Sequence, residues 1–192
     1  MYRTHISKIS SQESLVKFDC GEPTVNRFLR ERAAWADQLG QTSATVLEAK
    51  DKRVVVGFYA LSASIVEVQS AYDAQIFRNL LDDSSWLSQA VIPYPAIEIT
   101  WLGVERSLQN QKNGTKLILD IFEQVLIARF KLNIGIIGIQ VAALPGALEF
   151  YQQLGFEYLH ADYDTVPAIL ETYPMFIKIE VVIEIMKRLK LA

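Results

Sequence analysis

Apolar positions recur along the chain at two periods, and changes of period mark its elements. Residues about 3–9 read as a short strand. Pro23 stands where it would open a helix, because a first helical turn has no use for the N–H that proline lacks. Val25, Phe28, Leu29, Arg32, Ala36 and Leu39 follow at spacings of three and four, and Gly40 closes the segment. Residues 43–49 and 53–67, rich in Val, Ala and Tyr, predict two strands joined by the short charged turn Lys50-Asp51-Lys52. Residues about 69–93 form a mixed polar excursion, helical near Ala71–Leu81 and framed at its end by Pro93 and Pro95. Ile97–Val104 is an apolar strand. A polar stretch, Leu108–Gly114, leads into a helical stripe of Leu117, Ile118, Ile121, Phe122, Val125 and Leu126. Ile134–Val141 is a β-branched run and predicts a buried strand. Pro145 opens a short helix through Leu154, ended by Gly155, and Phe156–His160 is a strand. Residues 173–186 predict a last strand with a terminal helical turn.

The order β-α-β-β-excursion-β-α-β-α-β-β describes one α/β domain with a mixed sheet over residues 1–192. No repeat, low-complexity tract or linker divides it. With 192 residues, 51% apolar and 21% charged, the chain can bury a sizeable core and is not a disordered segment. Cys20, the single cysteine, excludes an internal disulfide. The net charge of −3 argues against nucleic-acid binding by bulk electrostatics. The most apolar run, Ile134–Pro145, contains Gln140 and is far short of the roughly 18 residues that span a membrane. No apolar stretch stands near Met1, so the expectation is a soluble cytoplasmic protein without a signal peptide. His5 and His160 are too few and too far apart for a metal site, and no zinc or calcium pattern occurs.

Two segments carry candidate chemistry. Glu98-Ile99-Thr100-Trp101-Leu102-Gly103-Val104 is followed by Gln109-Asn110-Gln111-Lys112-Asn113-Gly114-Thr115-Lys116, a strand, polar loop and helix start. Free amides at a helix start, with the helix dipole behind them, form an anion site suited to a diphosphate. Many strand–loop–helix turns bind nothing, so this spacing alone is a weak sign. The second segment is Phe150-Tyr151-Gln152-Gln153-Leu154-Gly155-Phe156. Periodicity alone makes it a short packed helix capped by glycine.

In this order, the two segments resemble the GNAT superfamily of acyl-CoA-dependent N-acetyltransferases. Gln109–Gly114 is similar to its pyrophosphate motif, Gln/Arg-x-x-Gly-x-Gly/Ala, and Phe150–Phe156 matches its Phe-Tyr-x-x-x-Gly-Phe signature. Phe18-Asp19-Cys20-Gly21-Glu22-Pro23 with Asn26-Arg27-Phe28-Leu29, and Val55-Val56-Gly57-Phe58-Tyr59-Ala60-Leu61-Ser62, resemble the branch that includes the GNAT toxins of toxin–antitoxin pairs. Those toxins acetylate the amino group of aminoacyl-tRNA, and the same branch holds transferases with no toxic role.

The resemblance implies a mixed, mostly antiparallel sheet flanked by helices. It implies acetyl-CoA as co-substrate and no metal. The pantetheine would lie along the strand at Leu102, Gly103 and Val104. The diphosphate would lie on Gln109, Asn110, Gln111, Lys112, Asn113, Gly114 and Thr115. Tyr151 would be the general acid that protonates the departing thiolate; an ordinary phenol, with a pKa of about 10, is protonated at neutral pH. Glu98 is a candidate base for the amine, against the alternative of a strand-edge glutamate facing solvent. The acceptor site would be built from the first helix and the excursion.

The chain departs from the family pattern in the loop, with Lys112 at the middle glycine and Asn110 where glycine is common. Trp101 stands where the toxins usually carry arginine, and Gly103-Val104 where they carry Ala-Val. Arg27, Arg30 and Arg32, with Glu31 among them, read as a solvated helix face. Cys20 has no activating base and reads as structural.

The first reading is transfer of acetyl from acetyl-CoA to a primary amine of an unidentified small-molecule or aminoacyl acceptor. The alternatives are a toxin that acetylates aminoacyl-tRNA and pairs with an antitoxin protein, or a non-catalytic domain of the same fold. Nucleic acid enters only as tRNA, and no membrane partner is implied. A homodimer through a sheet edge or the apolar 175–186 segment is compatible with the sequence.

Overall fold

A computed structural model describes residues 2–9, 12–49, 54–68, 92–159 and 171–191. The elements are β1 (Tyr2–His5), α1 (Gln12–Lys17), α2 (Pro23–Arg27), a π-helical turn (Phe28–Arg32), α3 (Ala33–Gln38), β2 (Ser43–Glu48), β3 (Val55–Val68) and β4 (Ile92–Val104). They continue with α4 (Asn113–Phe130), β5 (Gly138–Ala143), α5 (Leu148–Gln152), β6 (Glu157–Tyr158), β7 (Tyr173–Lys178) and α6 (Ile179–Leu191). A mixed seven-stranded sheet runs in the order β1-β2-β3-β4-β5-β7-β6, with β1/β2, β2/β3, β5/β7 and β6/β7 antiparallel. Contacts group the chain into two compact units, Met1–Ser62 with Ile99–Gln124, and Ala63–Glu98 with Val125–Ala192.

The first unit packs α1 to α3 on the sheet. Its core includes Phe18, Val25, Phe28, Leu29, Ala33, Val46 and Phe58, all buried. The helical stripe expected from residue 25 is buried at Val25, Phe28, Leu29 and Ala36 and departs from the expectation at Arg32. Ala33 is fully buried while Arg32 is exposed. The cause is the π-turn: the Ala33 amide bonds Phe28 O, five residues back, so the turn holds one residue more than an α-turn. Leu39, expected in the stripe, is exposed.

Gly103 lies under this core. A Cβ there would meet Phe58 Cε1 at 3.0 Å, Val25 Cγ1 at 3.1 Å and Phe18 Cζ at 3.2 Å. The aromatic side chains have closed over the space that an alanine would fill. Gly103→Ala, although it restores the family's Ala-Val pair, should therefore destabilise by about 1 kcal/mol, read as a lower urea midpoint.

The second unit packs α6 on the sheet, with Ile179 and Val182 buried and Glu180, Glu184, Lys187 and Arg188 exposed. The sequence predicts only a helical turn here. Its β-branched run masks a helix of thirteen residues that tertiary burial of one face supports. The strand expected from Ile97 begins at Ile92, so Pro93 and Pro95, expected to frame the end of the excursion, lie within β4, where alternate positions put both missing N–H groups on one edge. The Pro95 carbonyl still accepts from Ile137 N at 2.9 Å. The strand expected from Ile134 begins at Gly138; Asn133, at φ 55°, ends the α4 turn and Ile134 stays exposed. Strand β1 stops at His5, where Ser7 N bonds the His5 ring and a 3₁₀ turn follows. The Lys50–Lys52 turn, the Ala71–Leu81 helix and His160 lie outside the described residues. No described helix is long and apolar enough to cross a membrane.

Candidate active site

In the first unit, β4 runs into the loop that precedes α4. Leu102 is half-buried, and Gly103 and Val104 are buried. Gln109, Asn110, Gln111 and Lys112 are exposed, Asn113 is buried, and Gly114 and Thr115 are half-buried. Asn110 and Lys112 take left-handed conformations, at φ 58° and 60°. Lys112 stands at the middle glycine of the family pattern and Asn110 where glycine is common, while Gly114 is kept. The loop thus keeps a glycine-type backbone path with side chains that strain it, more for Lys112 than for Asn110. Helix α4 starts at Asn113, and its first amides have no intrahelical acceptor. Lys112→Gly should raise stability by about 1 kcal/mol, visible as a higher melting temperature.

Side chains brace this loop from behind. Asn113 Nδ2 donates to Leu108 O at 2.8 Å, and Lys116 Nζ donates to Asn113 Oδ1 at 3.1 Å. Gln109 Nε2 donates to Cys20 O at 2.8 Å and to Val104 O at 3.1 Å. The Gln109 side chain is therefore a tie inside the fold, and its own amide is turned to Arg106 O at 3.4 Å.

The same contacts give the Phe18–Pro23 motif a physical role that the sequence alone does not show. Asp19 Oδ1 accepts from Gly21 N at 2.8 Å and from Asn26 Nδ2 at 2.7 Å, and both hold the Asp19 carboxyl below its usual range. Asn26 Oδ1 accepts from Cys20 N at 2.9 Å. The backbone of Asp19 bonds Arg106 N at 2.7 Å and Glu105 Oε2 at 3.0 Å, and Arg30 donates to Phe18 O. Asp-x-Gly is the spacing of an Asx-turn, which is the signal that could have revealed this clamp. Burial raises the Cys20 thiol above its usual range, which keeps it inert. Asn26→Ala leaves the Cys20 amide unpaired and should cost about 1–3 kcal/mol of stability, measured by urea unfolding.

In the second unit, Tyr151 sits on α5, 5% exposed. Its ring meets Phe150 edge-on at 5.2 Å and Phe156 at 5.3 Å. Gly155, at φ 90°, turns the chain so that Phe156 N bonds Tyr151 O at 3.1 Å. Burial alone pushes the Tyr151 phenol up from its ordinary value, so it stays protonated. Glu98 is half-buried and lines a cleft of about 290 Å³ with Glu67, Gln140, Val141 and Met175. Tyr151 is not among the described residues that line this cleft.

No family model matches the sequence. A tRNA-acetylating toxin of Mycobacterium tuberculosis (strain ATCC 25618 / H37Rv) is 31% identical over 156 residues, which cover 81% of this chain and 85% of that protein. The chain belongs to the GNAT toxin family. Two solved structures of such toxins superpose on nearly all of it. One is AtaTR bound with acetyl-CoA, at 26% identity and TM-score 0.72, covering 96% of this chain and 97% of that one. The other is AtaT complexed with acetyl-methionyl-tRNAfMet, at 25% identity and TM-score 0.71, covering 96% and 98%. As a GNAT toxin homologue, the protein is an acetyl-CoA-dependent N-acetyltransferase, with acetyl-CoA as its co-substrate. The left-handed loop and the open amides of α4 have the form that a diphosphate needs.

Proposed function

We propose that this protein transfers acetyl from acetyl-CoA to the α-amino group of aminoacyl-tRNA and so blocks translation, with an antitoxin as its partner. The observation that carries this reading is the relative described above, matched over four fifths of both chains and named for tRNA acetylation. The sequence alone puts a primary amine of an unidentified acceptor first; the relatives favour its alternative instead. The retained path of the 109–115 loop counts against a non-catalytic domain.

In this reading, the amides of Asn110 to Thr115, with the Lys112 ammonium, hold the diphosphate, and the strand at Leu102–Val104 orients the pantetheine. The amine nitrogen attacks the thioester carbonyl, a C–N bond forms and the C–S bond breaks. Glu98 accepts the proton that the amine loses, directly or through water. Tyr151 gives its phenol proton to the departing thiolate. Because burial raises the Tyr151 pKa, its proton is in place throughout the neutral range. Stability that depends on the neutral phenol is intact below about pH 10 and is lost only as pH climbs toward the raised value. A pH profile of kcat should therefore show no loss from Tyr151 ionisation below about pH 10.

Tightly controlled expression tests the reading. Growth arrest with block of translation is the expected result, relieved by Tyr151→Phe at equal protein level. Unimpaired growth at strong expression would overturn it.

A further inference from the structure

We propose that the groove beside Trp101 binds an unpaired nucleotide of the RNA substrate, its base against the indole and its phosphate on Arg27 and Arg32. The inference rests on aminoacyl-tRNA being the substrate and names where its single-stranded end is held. The groove lies wholly in the first unit, measures about 590 Å³ and is lined by Arg27, Phe28, Glu31, Arg32, Thr42 and Trp101 among others.

Two observations converge on it. First, Phe58, Phe28 and Trp101 form a near-parallel stack that passes from core to groove. Phe28 and Phe58 are 6.2 Å apart at 21°, and Phe28 and Trp101 are 4.4 Å apart at 10°. Phe58 is fully buried and Phe28 is 7% exposed, whereas Trp101 is only half-buried. Trp101 is thus held flat by its own core before any ligand arrives, and a base would extend the stack. Every base has a π-face, so such a platform tolerates any sequence.

Second, the groove is cationic at its rim. Arg27 and Arg32 are exposed, and the Arg32 guanidinium is held 4.7 Å over the Trp35 ring. Glu31 between them is an acceptor for an exocyclic base amine. With a net charge of −3 over the chain, attraction must come from this local pair rather than from the whole field.

The test is steady-state acetylation of aminoacyl-tRNA by the full chain, beside calorimetric titration with acetyl-CoA. Trp101→Ala should raise the KM for aminoacyl-tRNA by about 5- to 160-fold, the range for loss of one base stack, and Trp101→Phe should recover most of it. Arg27→Ala should lower the slope of log affinity against log salt by about one, as for one lost phosphate contact. Acetyl-CoA affinity should stay within about twofold in all three, which also reports their folding. An unchanged KM in Trp101→Ala and Arg27→Ala, or an equal loss of acetyl-CoA affinity, would overturn the inference. Fluorescence anisotropy with a labelled single-stranded RNA 9-mer separates the two claims. A parent that binds the 9-mer through Trp101 yet acetylates no charged tRNA keeps the groove and ends the proposed function.

Discussion

Tyr151→Phe is expected to lower kcat by about 10²–10⁴-fold, the range for loss of a positioned general acid, while acetyl-CoA still binds. The substitution removes one oxygen from a side chain 5% exposed and keeps the ring against Phe150 and Phe156. The packing that holds α5 should survive, and the melting temperature should move little. Single-turnover rates with calorimetry on the same preparation separate the outcomes. Loss of chemistry with binding intact identifies the proton donor. Loss of fold and binding together would make the hydroxyl structural.

Gly57→Ala is expected to have the largest effect on folding in the first unit. A Cβ at Gly57 would stand 2.7 Å from Gly103 O and 2.9 Å from Leu117 Cδ1. The leucine can turn away, but the carbonyl belongs to β4, which Glu105 N ties back to Val56 O at 2.9 Å. The two strands must part. A loss of about 3 kcal/mol, the upper range for overpacking, would lower the melting temperature by roughly 6–12 °C. Weaker acetyl-CoA binding should accompany it, since Gly103 lies on the strand assigned to the pantetheine. Gly146→Ala, where a Cβ meets nothing within 4 Å, is the matched control and should be near neutral.

The parts of this protein that sequence shows well are those whose period follows burial. The α4 stripe of Leu117, Ile118, Ile121, Phe122 and Val125 is buried as the spacing predicts. Gly155 shows its cap function in its φ of 90°. What the sequence hides has three physical causes. The π-turn at Phe28–Arg32 buries Ala33 in place of Arg32 without any residue that announces it. The β-branched start of α6 looks like strand, because a helix face buried by tertiary packing needs no intrinsic propensity. The clamp of Asp19, Asn26, Glu105 and Gln109 joins segments more than eighty residues apart, which no local pattern reports. Lys112 is the instructive case. Its identity suggests a spoiled loop, yet its φ of 60° shows the glycine path kept. The sequence names the residue; only the backbone says what it costs.

The most direct measurement is transfer of radiolabel from [acetyl-¹⁴C]acetyl-CoA to aminoacyl-tRNA, with deacylated tRNA and the Tyr151→Phe protein alongside. The expected result is acid-precipitable label on charged tRNA alone, released as N-acetyl amino acid when the ester is hydrolysed, and absent with Tyr151→Phe. Label that never reaches any charged tRNA, from a protein that binds acetyl-CoA and acetylates a small amine, would contradict the account.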